Sequence, residues 1–121
     1  MANILIVDDS SSMRKMVVFT LGGEGSHTLT DCVDGANALQ TAQTQKFDLV
    51  ITDLNMPNMN GLEFATALRA KAEYKFTPIL VLTTESSAAV KQQGREAGVT
   101  GWLVKPFNPT QLVNVVNKVL A

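Results

Sequence analysis

The sequence predicts an α/β domain built on a five-stranded, parallel, doubly wound sheet. Short apolar runs alternate with amphipathic stretches along the whole chain. Most of those runs are continuously apolar, as in strands buried on both faces. The 121 residues suit one domain with one core. Repeated βα units of this kind pack as a parallel sheet with right-handed crossovers and helices on both faces.

The first strand is "NILIV", Asn3 to Val7. Ser10, Ser11 and Ser12 read as caps and helix-start residues, and Met13, Met16, Val17 and Leu21 then fall on one helical face that ends at Gly22-Gly23. The second strand is "LTDCV", Leu29 to Val33, with His27 before it at the surface and Cys32 as buried packing. The third is "LVIT", Leu49 to Thr52, and the fourth "ILVLT", Ile79 to Thr83. The helix that follows, "AAVKQQGREAG", has few large apolar residues, and its interior Gly94 costs roughly 1 kcal/mol relative to Ala. It is expected to be the least anchored helix, stopping at Gly98. After the fifth strand "GWLV", Gly101 to Val104, Asn108 and Pro109 open a last helix with Leu112, Val115, Val116 and Val119 on one face.

Composition excludes several classes. With 45% apolar and 17% charged residues the chain has the make-up of a soluble globular protein, not a disordered one. Ten Lys and Arg against eleven Asp and Glu, with no basic run, speak against nucleic-acid binding. The single cysteine cannot form a disulfide within the chain, and "MANILIVDD" lacks the features of a signal peptide, so a cytoplasmic location is expected. No apolar run approaches the roughly twenty residues of a membrane span.

In a sheet of this type functional groups collect at the carboxyl ends of the strands. Asp8 and Asp9, Asp53, Thr83 and Thr84, and Lys105 and Pro106 stand at four such ends and are expected to converge. Three carboxylates in one pocket repel one another, which raises at least one pKa unless a cation neutralises them. Mg²⁺ suits a site of few carboxylates plus water, at about 2.0–2.1 Å from its ligands, and leaves room for a phosphoryl group.

"ILIVDDSSSMRK", the "DG" at Asp34-Gly35, "DLVITDLNMPNMNGLE", "PILVLTTE" and "GWLVKPF" together resemble the response-regulator receiver domains of two-component signalling, and among them the single-domain chemotaxis regulators. A lone "DD" is ordinarily a capping turn and a lone "KP" a loop; the combination, spread over essentially the whole chain, is specific. The resemblance implies a flavodoxin-like sheet of order 2-1-3-4-5 with five helices, and one receiver domain over residues 1–121 without an output domain. It implies that Asp53 is a phosphoacceptor, self-catalysing its phosphorylation and dephosphorylation rather than serving as an enzyme's active site. Asp8, Asp9, Asp53 and the main-chain carbonyl of Asn55 would hold Mg²⁺, and Lys105 and Thr83 would contact the phosphoryl group. A cis Lys105–Pro106 peptide is implied, with Pro57 and Gly61 shaping the turn, Gly61 by permitting positive φ. On phosphorylation Thr83 would move toward the phosphate and Trp102, where the family more often has Tyr or Phe, would turn inward.

The partners implied are a histidine kinase as phosphodonor, a downstream protein and a phosphatase, with the chain itself a monomer. The downstream protein would read the face made by Ala88–Glu96, Trp102 and the start of the last helix, and in chemotaxis it would be the flagellar motor switch. Lys91 and Gln92 stand where motor-binding members have aliphatic side chains, which keeps a phosphorelay or a phosphate sink as the alternative output. Two other classes share part of the chemistry. A haloacid-dehalogenase-type phosphatase needs an acid/base carboxylate two residues after its nucleophile, and Asn55 is an amide. A flavin or nucleotide binder would want a phosphate cradle after the first strand, where "DDSSS" places two anions.

Overall fold

The structure, a computed structural model, describes residues 2–23 and 27–121. Five βα units follow one another: β1 (Ala2–Val7), α1 (Ser11–Gly22), β2 (His27–Cys32), α2 (Gly35–Thr44), β3 (Leu49–Thr52), α3 (Gly61–Arg69), β4 (Ile79–Thr83), α4 (Ala88–Glu96), β5 (Gly101–Val104) and α5 (Pro109–Leu120), with a 3-10 turn at Ala72–Tyr74 before β4. The strands are all parallel and lie in the order β2-β1-β3-β4-β5. The chain leaves β1 toward one edge and returns to build the other, so strand order reverses between β1 and β3. That is where a crevice opens at the carboxyl ends of the strands.

Period-two alternation divides the apolar residues of the strands between two cores. Ile4, Ile6, Leu49, Ile51, Leu80 and Leu82 face Val17 and Leu21 of α1 and Leu112 and Val116 of α5. Leu5, Val7, Val50 and Ile79 face Ala38 and Ala42 of α2 and Phe64, Ala65 and Leu68 of α3. The helices begin at side-chain caps: Ser10 accepts from Met13 N–H, Asp34 from Asn37, Ser87 from Val90 and Asn108 from Gln111, with Pro109 at the first helical turn. Asn60 and Glu63 form a reciprocal capping box on α3. Among the described residues no helix is long and apolar enough to cross a membrane.

Four local expectations change. Met16 is 51% exposed, because Met13, Val17 and Leu21, spaced by four, already fill the inward stripe of α1. β2 begins at His27 and ends at Cys32, leaving Val33 exposed past the end of an edge strand. His27 is therefore a half-buried strand residue that pairs with Ala2, not a surface residue before the strand. Gly61 has no positive φ; it is needed because any Cβ there would overlap the Asp53 carbonyl, where α3 starts against the end of β3.

Candidate functional site

The sheet ladder itself brings the first two carboxylates together. Val7 lies opposite Thr52, and one residue further the Asp53 N–H donates to the Val7 carbonyl at 2.8 Å, while the Asp8 N–H donates to Cys32 at 3.1 Å. Asp8 and Asp53 thus stand side by side just past adjacent strands. They are 3% and 9% exposed; Asp9, at the rim, is exposed. One oxygen from each of the three carboxylates lies within 4.8 Å of the others.

Lys105 enters from the end of β5, where its N–H donates to the Thr83 carbonyl at 2.8 Å. Its Nζ donates to Asp8 Oδ2 at 2.8 Å and to Asp53 Oδ2 at 3.0 Å. The remaining oxygens are held by main chain: Ser10 N–H donates to Asp8 Oδ1 at 2.9 Å, and Leu54 N–H to Asp53 Oδ1 at 2.6 Å. Burial alone would push the Lys105 ammonium below its ordinary 10.5, but the hydrogen bonds and charges of Asp8 and Asp53 outweigh it and hold the pKa above that value. One ammonium against three carboxylates leaves two negative charges uncompensated. A hard set of oxygen donors with that excess fits a divalent cation held by Asp8, Asp9 and Asp53.

A second group of expected residues meets at Glu85, in the loop between β4 and α4. Thr83, 1% exposed at the end of β4, accepts the Glu85 N–H on Oγ1 at 3.4 Å. Asn55 donates from Nδ2 to Glu85 Oε2 at 2.9 Å. Trp102 Nε1–H donates to the Glu85 carbonyl at 2.8 Å. One residue therefore links the acidic loop, the buried threonine and the indole. The Trp102 ring lies on α4 at Gly94, where a Cβ would stand 2.7 Å from Cζ3. Gly94 is the one buried residue of α4, so the position that reads as a weak point in the helix is also the seat of the indole.

The Lys105–Pro106 peptide is cis. The bonds made by four neighbours of the site, Arg14, Asp34, Asn58 and Glu85, carry no clear signal in the sequence. Arg14 donates from Nη1 to the Asp8 carbonyl at 2.6 Å and from Nε to Asp31 Oδ2 at 2.9 Å, tying α1 to the ends of β1 and β2. Asp34 and Asn58 are hydrogen-bonded across the loops after β2 and β3 at 2.8 Å. The one local hint is Asn58 itself, an Asn between Pro and Gly in "PNMNG", a residue type that tolerates left-handed backbone. Glu85 could be read as lining the site, but its bonds to Asn55 and Trp102 could not.

The response regulator receiver domain model matches residues 4–117 of the chain. The chemotaxis protein CheY-3 of Vibrio cholerae is 38% identical over 116 residues, which cover 96% of this chain and 89% of that protein. The chemotaxis protein CheY of Pseudomonas aeruginosa is 36% identical over 116 residues, 96% of this chain and 94% of its own. The crystal structure of Vibrio cholerae chemotaxis protein CheY4 superposes with a TM-score of 0.94 at 51% identity, covering 99% of both chains.

Proposed function

The chain belongs to the response regulator receiver domain family, and from that premise we propose that Asp53 takes a phosphoryl group from a phosphohistidine of a histidine kinase. The observation that carries the proposal is the Asp53 carboxylate at the switch point of the sheet, 9% exposed, with Lys105 Nζ 3.0 Å from one oxygen and two further carboxylates beside it. A carboxylate is a weak nucleophile, so the transfer depends on position and charge neutralisation. An Asp53 oxygen forms the new P–O bond as the P–N bond to the donor imidazole breaks, and the imidazole, already protonated on its other ring nitrogen, leaves as the neutral ring. Lys105, a compact charge already aimed between Asp8 and Asp53, turns to the incoming phosphoryl oxygens, and the Thr83 hydroxyl donates to the same group. Bound by Asp8, Asp9, Asp53 and the Asn55 carbonyl, Mg²⁺ would supply the further positive charge that the three carboxylates and the phosphoryl group require. Asn55 offers an amide where a phosphatase would need an acid/base carboxylate, so the aspartyl phosphate outlasts the transfer by seconds to minutes, decaying by self-catalysed hydrolysis rather than enzymatic turnover.

Residues 1–121 act as one monomeric receiver domain in the cytoplasm. The output is the face of α4, β5 and the start of α5, and the chemotaxis proteins to which the chain is similar make the flagellar motor switch its first candidate partner, with a phosphatase to end the signal. The polar outward residues Lys91, Gln92 and Arg95 of α4 favour a second output, a place in a phosphorelay or as a phosphate sink.

The test is incubation with acetyl phosphate and Mg²⁺, read by intact mass and peptide mapping. One phosphate should appear on Asp53, and none in Asp53→Asn or after chelation by EDTA. Labelling of Asp53→Asn at the wild-type rate would remove Asp53 from the role; a rate unchanged by EDTA would remove the metal.

A further inference from the structure

The segment from Asp53 to Gly61 leaves β3, passes the carboxylate cluster and turns back to start α3. Its neck is closed by the Gly61 N–H, which donates to the Leu54 carbonyl at 2.8 Å. Its far end is held from outside the cluster. Asn58 has φ 68°, the only positive value at a non-glycine residue among those described, a conformation that L side chains other than Asn and Asp adopt at a cost. Its Nδ2 donates to Asp34 Oδ2 at 2.8 Å. Asp34 is itself held by a second bond: its other oxygen accepts the Asn37 N–H at 2.8 Å as the cap of α2, and these bonds, that to the Asn37 amide first, hold its pKa below the ordinary carboxylate value. Next to it, a Cβ on Gly35 would lie 2.7 Å from the Met59 carbonyl, so the loop rests flush on the first turn of α2.

The loop is therefore suspended between two walls. Asn55 ties it to Glu85 on one side, and Asn58 ties it to Asp34 on the other. Only Met56 and Pro57 separate the two attachment points, and proline fixes its own φ. A change in the seat of Asn58 has only this short run, part-fixed by proline, between it and the Asn55 main chain. We propose that Asp34 and Asn58 form a clasp that positions the Asn55 carbonyl and so sets the affinity for Mg²⁺. They are positioning residues, contacting neither metal nor phosphoryl group. The inference rests on the assignment of the Asn55 carbonyl as a metal ligand.

The pair can be broken and remade with charge held constant. Asn58→Gly keeps the left-handed backbone and removes the bond. Asn58→Asp sets two carboxylates against each other. Adding Asp34→Asn to Asn58→Asp reverses the polarity of the pair, since Asn caps a helix as well as Asp and Asp tolerates left-handed backbone. Mg²⁺ affinity of the unphosphorylated protein is measured by calorimetry, amide hydrogen exchange over residues 54–58 is measured without metal, and urea unfolding follows global stability. Loss of one such hydrogen bond should weaken Mg²⁺ binding by about three- to tenfold in Asn58→Gly and Asn58→Asp. The loop amides should exchange faster in both, and the double variant should return both readouts to within about twofold of wild type. Asn58→Asp separates the clasp from simple charge, because an added carboxylate acting through space would tighten Mg²⁺ instead. Wild-type affinity in both single variants, or a double variant as weak as Asn58→Asp, would overturn the proposal. Failure of the wild type to bind Mg²⁺ would overturn the metal assignment instead, and loop exchange unchanged in the variants would overturn the clasp whatever the metal result.

Discussion

Lys105 is the only cation that pairs with the Asp8 and Asp53 carboxylates among the described residues, and its removal leaves them opposed at 3% and 9% exposure. Breaking a largely buried ion pair on one side strands the other charge. Lys105→Met should therefore lower unfolding free energy by about 2–3 kcal/mol in metal-free buffer, and millimolar Mg²⁺ should return most of it. Urea unfolding with and without Mg²⁺ checks this; an unchanged midpoint in metal-free buffer would mean that Lys105 does not balance the cluster. Tyr74 makes a separate residue-scale prediction. It is fully buried, its hydroxyl accepts the Phe47 N–H at 3.2 Å and donates toward the Ala42 and Gln45 carbonyls at 3.1 and 2.9 Å, and burial pushes its pKa above the ordinary 10.0. The fold prefers the neutral phenol, so its contribution is complete below pH 10.0 and is lost as pH rises through the raised folded value. Tyr74→Phe should cost about 1–3 kcal/mol at neutral pH and remove this part of the alkaline decline, so the gap between the two proteins narrows above pH 10. A gap constant with pH would contradict it. Asp8, Asp9, Asp53 and Lys105 are legible in the sequence because each follows a recognisable apolar run. Tyr74 is not, since "AEYK" lies in a 3-10 turn with no periodicity to mark which side faces inward.

At the scale of the element, α4 joins a polar outer face to a single buried glycine. Its C-terminal end is held by Arg69, which donates to the Gly98 carbonyl from Nε at 3.1 Å and Nη2 at 2.9 Å, and Gly98 takes φ +91° beside that guanidinium. Its middle is held by the Trp102 ring at Gly94. Gly94→Ala would gain about 1 kcal/mol of helix propensity, yet the new methyl would meet Cζ3 and force the indole off its seat and away from the Glu85 carbonyl. The gain should vanish, and Trp102 emission should shift to the red as the ring becomes wetter. Unchanged emission together with added stability of about 1 kcal/mol would show that the ring yields without leaving. The helices themselves follow from periodicity and caps, which act over three or four residues. The partner of Gly94 sits on another element, and no local pattern contains it; Gly61 and His27 are misread for the same reason, each position being decided by a neighbour from elsewhere in the fold.

Across the whole molecule, strand order is what makes the chemistry possible, because reversal between β1 and β3 leaves a crevice where four strand ends meet. The parallel doubly wound sheet is legible, since continuous apolar strands alternating with helices admit few other arrangements, whereas the order of its strands follows from the family resemblance. The two side-chain ties of the acidic loop are not, because they join residues 24 and 30 apart through amide groups that read as ordinary loop polarity. Glu85 completes the connection from site to surface: Thr83 Oγ1 accepts its amide and Trp102 donates to its carbonyl. A phosphoryl group on Asp53 that draws the Thr83 hydroxyl toward it would disturb both bonds. A partner responds only through different affinity for the two states, so it should bind where the disturbance arrives. The most direct measurement is amide hydrogen exchange with and without Mg²⁺ and the phosphate mimic beryllofluoride. Changed protection should extend from the loops after Asp9 and Asp53 through Glu85 and Ala88–Glu96 to Trp102, and in Thr83→Ala it should stay in the loops alone. Changes confined to those loops in the wild type would contradict a switch that runs from Asp53 to the α4 face.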